Sequence, residues 1–304
     1  MSFRPTTKGH LTPGTGSAVT RFPARADVAA FVRQIWIPEW DLPAGEQAEQ
    51  LVLGYPASNV VVELGGVAIY GPTSRASTRV LTGSGWAVGA LLKPAGVRLF
   101  TERPAELLDA EAPVEAADLH RSICDVMGSA AAAERSGAAE SEPADSWPSD
   151  TGLADPAPAV PGKAASAAGH RARAADLLQD YIQSLAAQRS DGGTSDDAAL
   201  ANQMVDLIDE GDIRSAPQLA RALHLSERSV QRLASRYVGM SAVLMLRRRR
   251  LQDAAERVRT EPATDLGELA ADLGFSDQAH LTREFRQVLG FTPRQYPGPP
   301  GAQT

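Results

Sequence analysis

The chain has 304 residues, 43% of them hydrophobic and 22% charged, enough for two cored domains and a connector. Aromatics make up only 5%, so the cores must rest on Leu, Val and Ala. The single cysteine, Cys124, excludes a disulfide framework and a cysteine-based zinc site.

The start of the chain has no positively charged segment followed by an apolar run. The longest apolar stretches, such as Trp86–Leu92, are shorter than the roughly 20 residues a bilayer-spanning helix needs. A cytoplasmic protein without membrane contact is therefore expected. The net charge of -7 hides an asymmetry. From Gly211 to Thr304 there are 14 Arg, no Lys and 10 acidic residues, a net of +4, which leaves -11 for the rest. Nine of those Arg lie between Arg228 and Arg259. Such a field suits a polyanion. A solvated helix face accounts for it equally well, because the whole chain has only three Lys.

In chain order, residues 17–127 read as a β-rich amino-terminal domain. Runs of β-type residues occur at Gln34–Trp40, Gln50–Leu53, Asn59–Leu64, Val67–Tyr70, Thr78–Thr82 and Trp86–Leu92. Turn formers separate them, which predicts a small antiparallel sheet or barrel. Asp27–Gln34 reads as a framing helix, and further helix follows Pro104, carrying Leu107, Leu108, Leu119 and Ile123. Residues 128–169 are dominated by Gly, Ala, Ser, Pro and Asp, so they cannot bury enough surface to offset chain entropy. A disordered, flexible linker is expected there. Two apolar stripes of helical period then predict connecting helices over 170–210.

Residues 211–296 read as all helix and turn, and contain an internal repeat offset by 50 residues. Gln218-Leu-Ala-Arg-Ala-Leu-His-Leu-Ser226 aligns with Glu268-Leu-Ala-Ala-Asp-Leu-Gly-Phe-Ser276. Each copy predicts a short helix, a tight turn at His224 or Gly274, and a second helix capped by Ser226 or Ser276. That is the helix-turn-helix pattern. In the first copy Val230 and Leu233 face inward, and Arg228, Gln231 and Arg232 face outward. In the second, Leu281, Phe285 and Val288 face inward, and Gln278, His280 and Arg283 outward. Arg and Gln side chains make paired hydrogen bonds to guanine and adenine edges. A single helix over Ser241 to about Arg259 joins the copies. Its length, roughly 28 Å at 1.5 Å per residue, suits two helices entering grooves about 34 Å apart. Arg247 to Arg250 on it are candidate phosphate contacts, with one or two expected to pair internally.

These residues resemble the tandem helix-turn-helix domain of the AraC/XylS family of bacterial regulators. The resemblance is carried by Leu219-Ala220 with Leu225-Ser226, Gln231-Arg232, Gly239-Met240-Ser241, Leu251 to Ala254, and Leu269-Ala270 with Gly274-Phe275-Ser276-Asp277-Gln278. Arg283-Glu284-Phe285 and Gly290-Phe291-Thr292-Pro293 complete it. It implies a DNA-binding transcription regulator of the α+β class: a sensor-like β domain, a linker and an all-α domain. Arg228, Gln231, Arg232, Gln278, His280 and Arg283 fall at its base-reading positions. Leu281, Ala242 and His224 depart mildly from the family pattern. Residues 25–125 resemble, more loosely, a domain found in front of such modules. The carriers are Ile35-Trp36, Gly54-Tyr55-Pro56 to Glu63, Tyr70-Gly71-Pro72 and Gly89 to Ala95. The partners implied are double-stranded DNA, a small-molecule effector and a second copy of the chain.

No cofactor, metal site or enzyme activity is expected. The five His residues are scattered, and the Gly-rich turns lack the lysine of a phosphate loop. Trp36, Trp40, Tyr55, Tyr70 and Trp86 are either effector-pocket lining or core. A β domain that only dimerises remains an alternative. An Ada-type repair enzyme is a remote one, because Cys124 alone does not supply its chemistry.

Overall fold

In the computed structural model, which describes residues 17–52, 56–138, 161–189, 195–261 and 263–296, the amino-terminal region is an antiparallel sheet backed by two helices. Its strands are β1 (Ser17–Pro23), β2 (Val32–Asp41), β3 (Gln47–Val52), β4 (Asn59–Glu63), β5 (Gly66–Tyr70), β6 (Ser77–Thr82), β7 (Ser84–Trp86), β8 (Val88–Leu92) and β9 (Glu111–Pro113). The order is β1-β2-β8-β4-β5-β9, with β7 also pairing β2 and with β3 and β6 forming a separate ribbon.

Side chains alternate across β2 as the strand period requires. Ile35 and Ile37 enter the core with Val60, Val62 and Leu92. Trp36 and Trp40 stand on the other face, where Trp36 lies across Gly89 and donates its indole N–H to Asn59 Oδ1 at 3.0 Å. Trp86 sits in the core, Tyr70 lies under the Arg79 guanidinium, and Tyr55 falls outside the described residues. Helices α2 (Ala117–Ala138) and α3 (Pro161–Gln188) close the core with Ile123, Met127, Leu178 and Ile182. A four-residue helix, α1 (Pro94–Val97), follows β8, and a 3-10 turn spans Pro104–Leu107.

Three expectations change here. Asp27–Gln34 is not a helix: after one hydrogen-bonded turn, closed by Val32 N–H to Val28 O at 2.9 Å, the chain enters β2. Pairing with both β1 and β8 outweighs the weak helical period of this stretch. The Trp86–Leu92 run is two strands, interrupted at Ala87, whose N–H bonds to Pro38 O. The expected linker is shorter than 128–169, because α2 continues to Ala138 and α3 begins at Pro161. Alanine costs the least of any residue in a helix, so the Ser129-Ala-Ala-Ala-Ala run extends α2. Strands β1 and β9 carry little alternation and were not legible.

The carboxy-terminal helices are α4 (Asp196–Glu210), α5 (Ala216–Ala222), α6 (Glu227–Tyr237), α7 (Ala242–Thr260), α8 (Leu266–Asp272) and α9 (Gln278–Leu289). They build two separate apolar clusters. One holds α4, α5, α6 and the first half of α7, around Met204, Ile208, Leu219, Val230 and Met245. The other holds the second half of α7 with α8 and α9, around Leu251, Leu269, Leu281 and Phe285. The two connecting helices therefore part company: α3 completes the sheet domain, and α4 completes the first helical cluster. Among the described residues, no helix is long and apolar enough to cross a membrane.

Candidate nucleic-acid interface

The first half of each repeat unit is built in the same way. Ser215 caps α5 by accepting from the Gln218 N–H, and Asp265 caps α8 by accepting from Gly267 and Glu268. Leu219-Ala220 and Leu269-Ala270 are buried. The turns close through Leu225 N–H to Ala220 O and Phe275 N–H to Ala270 O, at 2.9 and 2.8 Å. Both turn residues take the left-handed conformation, His224 at φ 54° and Gly274 at φ 73°. Glycine adopts that geometry freely and histidine only with strain.

The second helices are out of step by one residue. Ser226 caps α6, accepting from Ser229 N–H at 3.1 Å. In the other unit the cap is Asp277, one residue beyond the expected Ser276, accepting from His280 N–H at 2.6 Å. A carboxylate at a helix start is both an acceptor and a favourable charge. The His280 N–H holds this carboxyl below the usual range. The repeat offset is therefore 50 through the turn and 51 along the second helix. Val230 matches Leu281, and Tyr237 matches Val288, all four buried.

This register sorts the six expected contact residues. Arg228, Gln231 and Arg232 are exposed on α6, as are Gln278 and Arg283 on α9. Arg232 and Arg283 are equivalent in the two units. His280 matches Ser229 and is only partly exposed. Its Nδ1 accepts from the Ser276 N–H at 3.3 Å, and its ring meets Phe275 edge-on at 5.5 Å. It therefore closes the start of α9. The matches of Arg228 and Gln231 are Ala279 and Thr282, which sequence reading passed over. Anchoring the alignment on inward residues, and not on the two serines, brings them out.

The Arg247–Arg250 run turns inward, which corrects the expectation of phosphate contacts. Arg247 pairs with Glu284 and donates to Gln287 Oε1 at 2.7 Å. Arg248 is fully buried and donates to Thr73 Oγ1 at 3.2 Å. Burial lowers its pKa to about 10, against the opposing pull of Asp109, and it stays charged at neutral pH. Arg249 pairs with Asp253 at 2.9 Å. Arg250 donates to Gly274 O at 2.9 Å and lies 4.8 Å above the Phe275 ring; burial lowers its pKa too. Helix α7 runs between two cores, so Arg248 and Arg249 are buried and Arg247 and Arg250 half-buried, each with a protein partner. Arg236 and Arg257 pair with Asp197 and Asp272, which further reduces the basic field. Among the described residues, no group of three or more His, Cys, Asp or Glu is placed to hold a metal ion.

Two capped helix-turn-helix units, joined by one helix and each presenting an exposed Arg at the same position, define a tandem helix-turn-helix module behind a β-rich domain. A family described as "Helix-turn-helix domain" matches residues 219–297, and one described as "Domain of unknown function" matches residues 20–113. The chain carries an AraC-type helix-turn-helix domain, a DNA-binding module of transcription regulators. It is 39% identical over 71 residues to the F1 operon positive regulatory protein of Yersinia pestis, and spans 23% of the length of that relative and 23% of its own. Among solved structures it is similar to ToxT from Vibrio cholerae, at 9% identity and a TM-score of 0.36 over 92% of this chain and 95% of that one. It is also similar to the carboxy-terminal domain of AraT, a response regulator from Geobacillus stearothermophilus. There the identity is 20% and the TM-score 0.31, over 34% of this chain and 91% of that one.

Proposed function

We propose that this chain is a cytoplasmic, sequence-specific regulator of transcription that reads two successive major grooves, α6 in one and α9 in the next. The observation that carries the reading is α7. It ends in one helix-turn-helix unit and begins in the other, and its 19 residues span roughly 28 Å at 1.5 Å each. Arg228, Gln231 and Arg232 read the first groove, and Gln278 and Arg283 the second, with Thr282 and Ala279 beside them. His280 acts on the second groove through the shape of the helix start. The β-rich domain receives a small-molecule effector or a second copy of the chain. A catalytic role is not part of this reading.

Selection of bound sequences from random DNA by the full-length protein tests it. Two half-elements about one helical turn apart are expected. Arg232→Ala and Arg283→Ala should each relax one half-element only, at a cost of about 1–3 kcal/mol of base discrimination. Equal affinity for all duplexes at physiological salt would sink the reading.

A further inference from the structure

The amino-terminal domain touches both helix-turn-helix units, and does so by different means. On the first unit the contacts are many. Arg33 pairs with Asp206 and Asp209 of α4, and Ala95 packs into the same apolar cluster. Asn202 of α4 accepts from Ala95 N–H at 3.0 Å and donates to Ala30 O at 2.8 Å. At Gly239, φ 78°, a side chain would collide with the Pro104 carbonyl.

On the second unit the grip is smaller and comes from loop residues 71–76, through two hydrogen bonds and the packing of Ala76 against the second apolar cluster. Thr73 Oγ1 accepts from Arg248 of α7. Ala76 N–H donates to Val288 O at 2.8 Å, at the carboxy-terminal end of α9, where helix carbonyls lack intrahelical donors. The loop is braced from its own domain. Asp109, at φ 58°, accepts from Ser74 N–H at 2.5 Å, and its own N–H donates to Pro72 O at 3.0 Å. A left-handed Asp is a strained conformation, held only where its surroundings require it.

We propose that loop 71–76 is a clasp that positions the second recognition helix, so that the spacing between the two half-elements is set partly by residues outside the DNA-binding module. The inference rests on the two-groove reading. α7 alone leaves the second unit free to pivot at the far end of a helix. A second point of attachment on α9 removes that freedom. The contact is small, two hydrogen bonds and one alanine side chain, so it can part at less cost than the broader seam on the first unit. Thr73 and the Ala76 amide are thus positioning groups for DNA recognition.

The test compares full-length wild type with Thr73→Val, Ala76→Pro and the double variant, and uses Thr73→Ser as the conservative control. Affinity is measured on duplexes whose half-elements are separated by the selected spacing, or by two base pairs more or less. Hydrogen exchange is followed over α7 to α9. Wild type and Thr73→Ser should prefer the selected spacing. The double variant should lose that preference by about fivefold or more, with faster exchange at the end of α9 and little change in α4 to α6. An equal loss of affinity at all spacings, or no change in exchange, would overturn the clasp. If wild type selects no sequence, the two-groove reading fails instead, and exchange over α9 still decides the clasp.

Discussion

The two helix-turn-helix units share a pattern but not a support. The first is buttressed on several sides, by α4, by α1 and by the Pro104 turn of the β-rich domain. The second is held mostly from within, with loop 71–76 of the β-rich domain against it. Phe285, Phe291 and Tyr296 form an aromatic cluster with ring centroids 5.3–6.1 Å apart, and the 3-10 turn Pro293–Gln295 seals the end of the fold. A motif defined by a few inward residues thus leaves its stability to its neighbours. The unit with fewer neighbours carries more aromatics.

The largest test of this contrast is in the cores. Phe285→Ala removes a fully buried ring from the second cluster and should cost about 3–5 kcal/mol. Leu219→Ala in the first unit should cost about 2–5 kcal/mol. Because the clusters are separate, hydrogen exchange should localise the first loss to α8 and α9 and the second to α4, α5 and α6. Loss spread evenly over both units would show a single cooperative core.

The helix caps come next. Ser226→Ala should destabilise α6 by about 0.5–2 kcal/mol, with no pH dependence of its own. The Asp277 cap differs, because the His280 N–H lowers its pKa. Its contribution is fully present above the ordinary carboxylate pKa of 3.8 and is lost as pH falls through the depressed folded value. Asp277→Asn should keep the cap and remove that acid limb. Thermal melts of the three proteins between pH 2 and 6 read the difference, and an unchanged acid limb in Asp277→Asn would refute it.

The smallest effect is at the turns. His224 holds φ 54° where the second unit has Gly274. His224→Gly should stabilise the first unit by up to about 1 kcal/mol, the left-handed strain relieved less the added freedom of the unfolded chain. Gly274→Ala should do the reverse. Denaturant midpoints of both variants check the pair, and a loss of stability in His224→Gly would break the symmetry argued here.

Much of the module was legible in the chain alone, because local chemistry decides it. The repeat, the connector helix from Ser241 and the left-handed turn at His224 and Gly274 follow from residue spacing and backbone sterics. So do the outward Arg232 and Arg283, because inward apolar residues at helical spacing settle which face is left. Contacts between distant segments decided the rest. Asp27–Gln34 became turn and strand because β1 and β8 flank it. His280 turned back to Ser276 because the cap moved to Asp277. Arg247–Arg250 took protein partners because α7 runs between two cores and beside Thr73, some 175 residues away in sequence. A charge written in sequence has no direction. Only packing tells an arginine that faces DNA from one that joins two domains, because desolvation and partner geometry are properties of the folded neighbours and not of the residue.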